Sequence, residues 1–336
     1  MAKYKRKSEE EIKNEMDGYN KKIIALGENF KSDPEDMADY FAFSSKFYQY
    51  SPKNQQLIYD QNQYASFVGS FLSYKEKGYH VEKGQKSMKV FVPVPCSYFY
   101  RNGEKTSTRL ADATPDERSK IASGEIEVKK AMSFKLGSVF DISQTDCPVE
   151  DYPKIIKFGE KSHPHAEIYE KLKGYCEQQG FSVAETSLRS IELRGQYTPS
   201  TKSIELNNKL QDTQKLGTFL HEMSHGLLDH DHKAGETSID TYLKEFEADG
   251  LTIMFMSHFG FEITEGTRGH LSTQYKAFNS ELDKLPDDEK DRYSLDNSLK
   301  TVNDLYKDHI DAMEEHLEKL NNIPSYNYED EWDQEM

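Results

Sequence analysis

Apolar residues recur at helical spacing over residues 8–49, where Ile23, Ile24, Phe41 and Phe47 stand amid charge. Pro34 in "SDPED" marks a break suited to the start of a second helix. Residues 61–94 then read as a helix-like segment stopped at Gly78, a turn at "EKGQK" and a strand "MKVFVPV" rich in β-branched and aromatic residues. Residues 101–131 carry much charge and few apolar anchors, so the pattern predicts a mobile insertion that bends outward; "FKLGSVFDISQT" (134–145) returns to strand. The prolines of "DCPVEDYPKI" and "GEKSHPH" punctuate the chain and place a boundary there. Beyond it the spacing predicts a helix from about His165 to Gln179 closed by Gly180, a turn at Pro199 and a short strand Ser203–Leu206. Helices follow over about 212–229, 237–259 and 297–321, the last ending before Pro324. The pattern describes an α+β protein of two domains: residues 1–150, a linker 151–165, a mainly helical domain 166–325 with a small sheet, and a tail 326–336 too acidic and short to fold alone.

Composition changes this picture in two places. With 35% apolar and 30% charged residues the chain is polar, yet its 18 Phe and 21 Tyr are enough to build cores for a chain of 336 residues. There is no apolar run near the ~18 residues a membrane span needs, and the N-terminus lacks the apolar segment of a signal peptide, so a cytoplasmic protein without a membrane partner is expected. Cys96, Cys147 and Cys176 form no CxxC pair, which fits a reducing compartment and argues against a thiolate metal site. The net charge of −16 is unevenly spread: residues 1–150 hold 23 basic against 22 acidic residues, the remainder 20 against 37, giving +1 and −17. Residues 46–109 alone hold 10 basic against 4 acidic residues, interleaved with 13 aromatics, and are the expected nucleic-acid-binding window.

Candidate chemistry concentrates in "GTFLHEMSHGLLDHDH" (217–232). At 100° per residue Leu216, Leu220, Met223 and Leu227 share one helix face, and His221 and His225 lie opposite. Two imidazoles at i, i+4 can hold zinc from a single helix, and Glu222 beside the first is placed to act as a base toward water. By chance alone HExxH would occur on the order of once in a hundred chains of this length, so a third ligand is needed. In "YLKEFEADGLTIMF" Glu245 and Asp249 share a face: Glu245 can complete a His2Glu site, and Asp249 can fix the tautomer of a ligand imidazole. Glu247, turned to the other side, is the weaker candidate. The longer HExxHxxGxxH pattern fails at Leu228 and Asp231, since the helix lacks the glycine that turns the chain back toward the metal; His230 and His232 read as solvated loop residues. Manganese and cobalt fit the same donors as zinc. The reaction implied is amide hydrolysis on a protein or peptide, with strand Ser203–Leu206 offering an edge for an extended chain. Tyr197 and His258 are oxyanion donors by residue type only.

"HEMSHG" followed by "EFEAD", preceded by "SPKNQQLIYDQNQYASFVGSFLSYKEKGYHVEKGQKSMKVFVPV" and "FKLGSVFDISQT", resembles the ArdC-type antirestriction proteins of mobile elements and the similar LtrC-like proteins over about residues 40–260. The resemblance implies an N-terminal α+β single-stranded-DNA-binding domain joined to a zincin-like metallopeptidase domain related to ImmA/IrrE peptidases. It carries metal binding onto His221, His225 and Glu245, with Glu222 as the base. In the first domain Lys53, Lys75, Lys77, Lys83, Lys86 and Lys89 are candidates to neutralise phosphates, Tyr59, Phe71, Tyr74 and Tyr79 to stack on bases, and Asn54 is a further polar contact. Tyr74 stands where the family commonly has Trp. The function implied is protection or transfer of a mobile element's DNA; the alternatives are an ImmA-like peptidase that cleaves a specific repressor and a DNA-coating protein whose metal is structural.

Overall fold

The computed structural model describes residues 8–101, 106–153, 165–190, 192–231 and 235–318. Three helices open the chain: α1 (Glu9–Ser32), α2 (Asp36–Ser44) and α3 (Pro52–Gln61). Ser8 and Glu11 close a capping box on α1, and the break falls at Asp33, beside the Pro34 that predicts it. The apolar pattern does not predict α3, although Ser51 caps Asn54 N–H and Pro52 occupies its first turn, a start signal independent of periodicity. Next come β1 (Val68–Ser70), α4 (Phe71–Glu76), β2 (Met88–Tyr100), β3 (Ser107–Arg109), α5 (Pro115–Ser123) and β4 (Lys129–Asp141). The four strands form an antiparallel sheet in the order β1-β4-β2-β3. The insertion at 101–131 is therefore more structured than its composition suggests. Thr114 and Glu117 box the start of α5, Gly124 ends it in the left-handed region, and Arg101 Nε donates to Glu117 at 2.6 Å.

The second half runs α6 (His165–Gln178), β5 (Ser182–Thr186), β6 (Gly195–Thr198), β7 (Ser203–Asn207), α7 (Asp212–Leu227), α8 (Ser238–His258), α9 (Glu265–Leu282), α10 (Asp287–Lys290) and α11 (Leu295–Glu318). Gly180 takes φ 88°, the left-handed stop that its position predicts after α6. The small sheet has the order β5-β7-β6, with β7 parallel to β5 and antiparallel to β6. This corrects the expected peptide edge: Ser203–Leu206 lies in the central strand, its backbone committed on both sides, and β6 is the outer strand.

The largest buried cluster crosses the boundary expected near residue 150. It joins Phe30, Tyr40 and Phe41 of α1 and α2 to Leu172, Phe219, Phe246, Phe255 and Tyr306 of the second half. The Phe41 ring lies so close to Gly250 that a Cβ there would come within 2.5 Å of it, which lets α2 seat directly on α8. Gln55 Nε2 also donates to Asn303 Oδ1 at 2.6 Å. A second cluster of Phe43, Phe47, Met88, Val90 and Val139 fills one face of the four-stranded sheet. Most of the expected linker, His232 and the tail with Trp332 lie outside the described residues. Among the described residues no helix is long and apolar enough to cross a membrane.

Candidate metal centre and the candidate DNA-binding residues

Helix α7 buries Leu216, Leu220 and Met223 in the main core and turns His221 and His225 the other way. Its N-cap is Gln211, without a side-chain cap, and Thr213 in its first turn bonds His165 Nδ1 at 2.7 Å. One turn apart, the Nε2 atoms of His221 and His225 face each other at 3.2 Å. Glu245, carried across from α8, places one carboxylate oxygen 3.5 Å from each of them. The three ligand atoms lie within 4.8 Å of one another.

The outer ring nitrogens determine whether this set suits a cation. His221 Nδ1 lies 3.0 Å from Asp249 Oδ1, and the other Asp249 oxygen is 2.7 Å from His270 Nδ1 on α9. With Nδ1–H donated to Asp249, the His221 Nε2 atom presents a lone pair inward, as a metal ligand must. Two inward imidazole nitrogens and one carboxylate are a donor set that fits a divalent ion. Electrostatics point the same way. Burial disfavours charge on His221, but the Asp249 and Glu245 carboxylates outweigh it and hold its pKa well above the ordinary value. In His225 burial prevails and drives the pKa down to about 4.

Glu222 stands beside the pair and against the outer strand. A Cβ on Gly195 of β6 would come within 3.0 Å of Glu222 Cγ, so the glycine makes room for this side chain, and the Tyr197 backbone N–H donates to its carboxylate. Burial pushes the Glu222 carboxyl up to about 7, with the Tyr197 amide opposing.

The end of α7 departs from expectation. Asp229 adopts φ 52°, its N–H donates to Gly226 O, and His230 N–H donates to His225 O at 3.0 Å, the hydrogen-bond pair of a Schellman turn. The chain therefore does turn back on itself, one residue later than the missing glycine would have done it. His230 is buried at 7% exposure, with its Nδ1 2.9 Å from His225 Nδ1 and its Nε2 3.4 Å from Glu247 Oε2. The solvated-loop reading of His230 is thus corrected, and Glu247, on the other flank of α8, acquires a partner. The expected oxyanion donors have neighbours of their own. Both His258 ring nitrogens are taken, by Glu314 and Tyr306, and the Tyr197 ring packs edge-on to Phe181. His270 was missed because it stands alone in α9 with no motif around it.

The candidate DNA-binding residues divide by exposure. Tyr74 is 2% exposed and its hydroxyl donates to Phe67 O and Phe140 O, so its ring anchors α4 on the sheet and is not available for stacking. Asn54 is likewise buried, its amide exchanging two hydrogen bonds with the Phe91 backbone. Tyr59 packs edge-on to Tyr40 and Phe43. Tyr79 is half-buried and bonds Asp151. Phe71, Lys53, Lys75, Lys83 and Lys86 are exposed, while Lys77 and Lys89 are half-buried, Lys89 Nζ bonding Ser138 Oγ at 2.6 Å. Residues outside the expected window present further apolar surface. Met132 and Phe134 of β4 are 56% and 52% exposed; with Lys130 they share one face, opposite Pro95, Pro93 and Ser97 of β2. Phe91 and Leu136 continue that face but are covered by Ile23, Met16 and Tyr19 of α1.

Residues 11–140 match the family described as the N-terminal domain of the anti-restriction factor ArdC, and residues 176–261 match the family described as the IrrE N-terminal-like domain. The uncharacterized protein pXO2-81 of Bacillus anthracis is 28% identical over 280 residues, 79% of this chain; the match spans about half, 47%, of that relative's length. Among solved structures, the metal-free form of the antirestriction ArdC protein from plasmid R388 aligns over 80% of this chain and 86% of its own, with TM-score 0.46 and 15% identity. Its Mn(II)-bound form aligns over 80% and 84%, with TM-score 0.43 and the same identity. Joining an ArdC N-terminal domain to an IrrE-like domain, the chain has the two-domain make-up of the ArdC-like antirestriction proteins.

Proposed function

We propose that this chain is a single-stranded-DNA-binding protein with a metal-dependent peptidase domain, acting in conjugative transfer or antirestriction of a mobile element. The observation that carries the reading is the convergence of His221, His225 and Glu245 within 4.8 Å, with Glu222 alongside. Zinc is the metal expected from this donor set. When bound, the ion supplies Lewis acidity that polarises a carbonyl oxygen and acidifies water. Glu222, half-buried and raised to about 7, is poised to take a proton from the attacking water and return it to the leaving amine. Asp249 keeps the His221 lone pair turned inward. The outer strand β6, whose Tyr197 N–H already bonds Glu222, leads from the base to a backbone edge on which an extended peptide can pair.

In the N-terminal unit the surface best suited to unpaired bases is the uncovered end of the β2–β4 hairpin. Phe134 and Met132 offer flat apolar contact there, and Lys130 supplies charge for phosphate, with the exposed Phe71, Lys75, Lys83 and Lys86 as further contacts. The IrrE-like match over the metal centre favours a second reading, in which hydrolysis of a specific repressor is the main activity.

The test compares wild-type and Glu222→Gln proteins for metal content, hydrolysis of a quenched-fluorescent peptide library and retention of a labelled single-stranded oligonucleotide. About one equivalent of metal in both, salt-sensitive DNA retention in both and a 10²–10⁴-fold loss of hydrolysis only in the variant are expected. Equal behaviour of the two proteins in all three assays would make the metal structural and remove the peptidase reading.

A further inference from the structure

The two ligand histidines are backed differently. His221 leans directly on a carboxylate, Asp249. His225 leans on another imidazole: its Nδ1 is 2.9 Å from His230 Nδ1, and His230 Nε2 is in turn 3.4 Å from Glu247 Oε2. All three members are enclosed, with side-chain exposures of 10%, 7% and 13% for His225, His230 and Glu247. From this geometry, and resting on the metal-site reading above, we infer that His230 and Glu247 are positioning residues which fix the metal-binding tautomer of His225 through a two-step hydrogen-bond relay.

The proton order along the relay has one solution once a cation occupies the centre. The metal takes the lone pair of His225 Nε2, so the His225 proton must sit on Nδ1. Nδ1–H then donates to His230 Nδ1, which must be unprotonated, and the His230 proton moves to Nε2, where it faces the Glu247 carboxylate. A carboxylate accepts only, so it terminates the chain in the direction that makes His225 a ligand. Removing Glu247 lets His230 adopt either tautomer; the alternative one places two N–H groups against each other unless His225 gives up its inward lone pair.

The backbone fixes the relay in place. Asp229 in the left-handed region and the His230 N–H to His225 O bond return the chain so that residue 230 lies under the ring it supports. Lys244, on the same helix as Glu245 and Glu247, donates to the Asp231 carbonyl and to Glu236, tying the chain beyond His230 to α8. Outer partners of this kind typically change metal affinity 10–100-fold.

The experiment measures cobalt(II) affinity by competition with a chromophoric chelator, the visible spectrum of the cobalt protein and the melting temperature of the metal-free protein. It does so for wild type, Glu247→Gln, His230→Ala and His230→Asn. Glu247→Gln is nearly isosteric, but its amide can donate to His230 Nε2 as well as accept from it and so no longer dictates the proton order; its metal-free melting should stay close to wild type while cobalt binding weakens about 10-fold. His230→Ala should weaken cobalt by about 10–100-fold and shift the visible bands, whereas His230→Asn, whose amide oxygen can accept from His225 Nδ1–H, should recover part of the affinity. Unchanged affinity and spectrum in Glu247→Gln and His230→Ala, or no recovery in His230→Asn, overturns the relay. A wild-type protein that takes up no cobalt overturns the metal-site reading and the relay with it.

Discussion

The candidate metal centre and the uncovered end of the β2–β4 hairpin rely on opposite physical conditions. Around the centre each functional ring nitrogen or carboxylate is enclosed and turned by a neighbour: Asp249 on His221, His230 on His225, the Tyr197 amide on Glu222. At the hairpin end Phe134, Met132 and Lys130 hold no such place; their faces are left to solvent. A buried donor is worth more because competing water is excluded and its geometry is set in advance, whereas a stacking surface must remain uncovered to bind at all. The same residue type can therefore be decisive in one region and merely structural in the other. Tyrosine and histidine show this directly, since Tyr74 looks like a stacking residue and serves the core, while His230 looks like a loop residue and sits beneath a ligand.

The largest effect that separates the regions is expected from His221→Ala. Loss of an inward nitrogen should reduce metal content from about one equivalent to background, a weakening beyond the ~100-fold that an outer partner can cause. Retention of a single-stranded oligonucleotide should be unchanged, because the hairpin end is built from β2 and β4 and not from α7. Elemental analysis alongside filter binding checks both; a parallel loss of DNA retention would mean that the two regions form one functional unit.

A crossed pair of substitutions tests the division within the N-terminal unit. Tyr74→Phe removes a hydroxyl that donates to Phe67 O and Phe140 O, at a cost of about 1–2 kcal/mol in folding stability. It should leave DNA affinity unchanged. Phe134→Ala should do the reverse, keeping the melting temperature and losing about 1–3 kcal/mol of binding, the usual worth of one base stacked on an aromatic ring. Urea unfolding and oligonucleotide titration on both variants would show whether Tyr74 or Phe134 faces the DNA.

Legibility in the sequence followed the same division. The helices that bear the candidate metal residues were readable because ligand spacing and apolar spacing share one helical period: Leu216, Leu220 and Met223 mark the buried face, and His221 and His225 stand opposite. Glu245 and Asp249 were readable for the same reason. What lay beyond one helix was not. The His225–His230 contact depends on a left-handed Asp229 that no periodicity announces, and His270 reaches Asp249 only through the packing of α9 on α8. In the N-terminal unit, lysines and aromatics alternate in sequence whether the rings point into a core or out of it. Tyr74 and Phe134 become distinguishable only when the sheet register assigns Phe134 to the face that α1 leaves uncovered. The strands β5 and β6 were also missed, being short and polar on one side, and with them the fact that β7 is central.

The smallest expected effect sharpens the comparison furthest, because it separates lysines that differ only in their surroundings. Lys130 shares the uncovered face with Phe134 and Met132, while Lys53 lies 4.0 Å from Asp296 of α11, at the seam between the two halves. A lysine that neutralises one phosphate of a single strand contributes about 0.7 to the slope of log affinity against log salt. Lys130→Ala should lower the magnitude of that slope by about this amount, with only a few-fold loss of affinity near physiological salt. Lys53→Ala should leave it unchanged, since its charge is already set against a carboxylate and the strongly acidic second half lies behind it. Titrations at four salt concentrations resolve a difference of this size. A drop in slope for Lys53→Ala but not for Lys130→Ala would move the DNA path from the hairpin end to the seam, close enough to α11 for nucleic acid and the peptidase domain to meet.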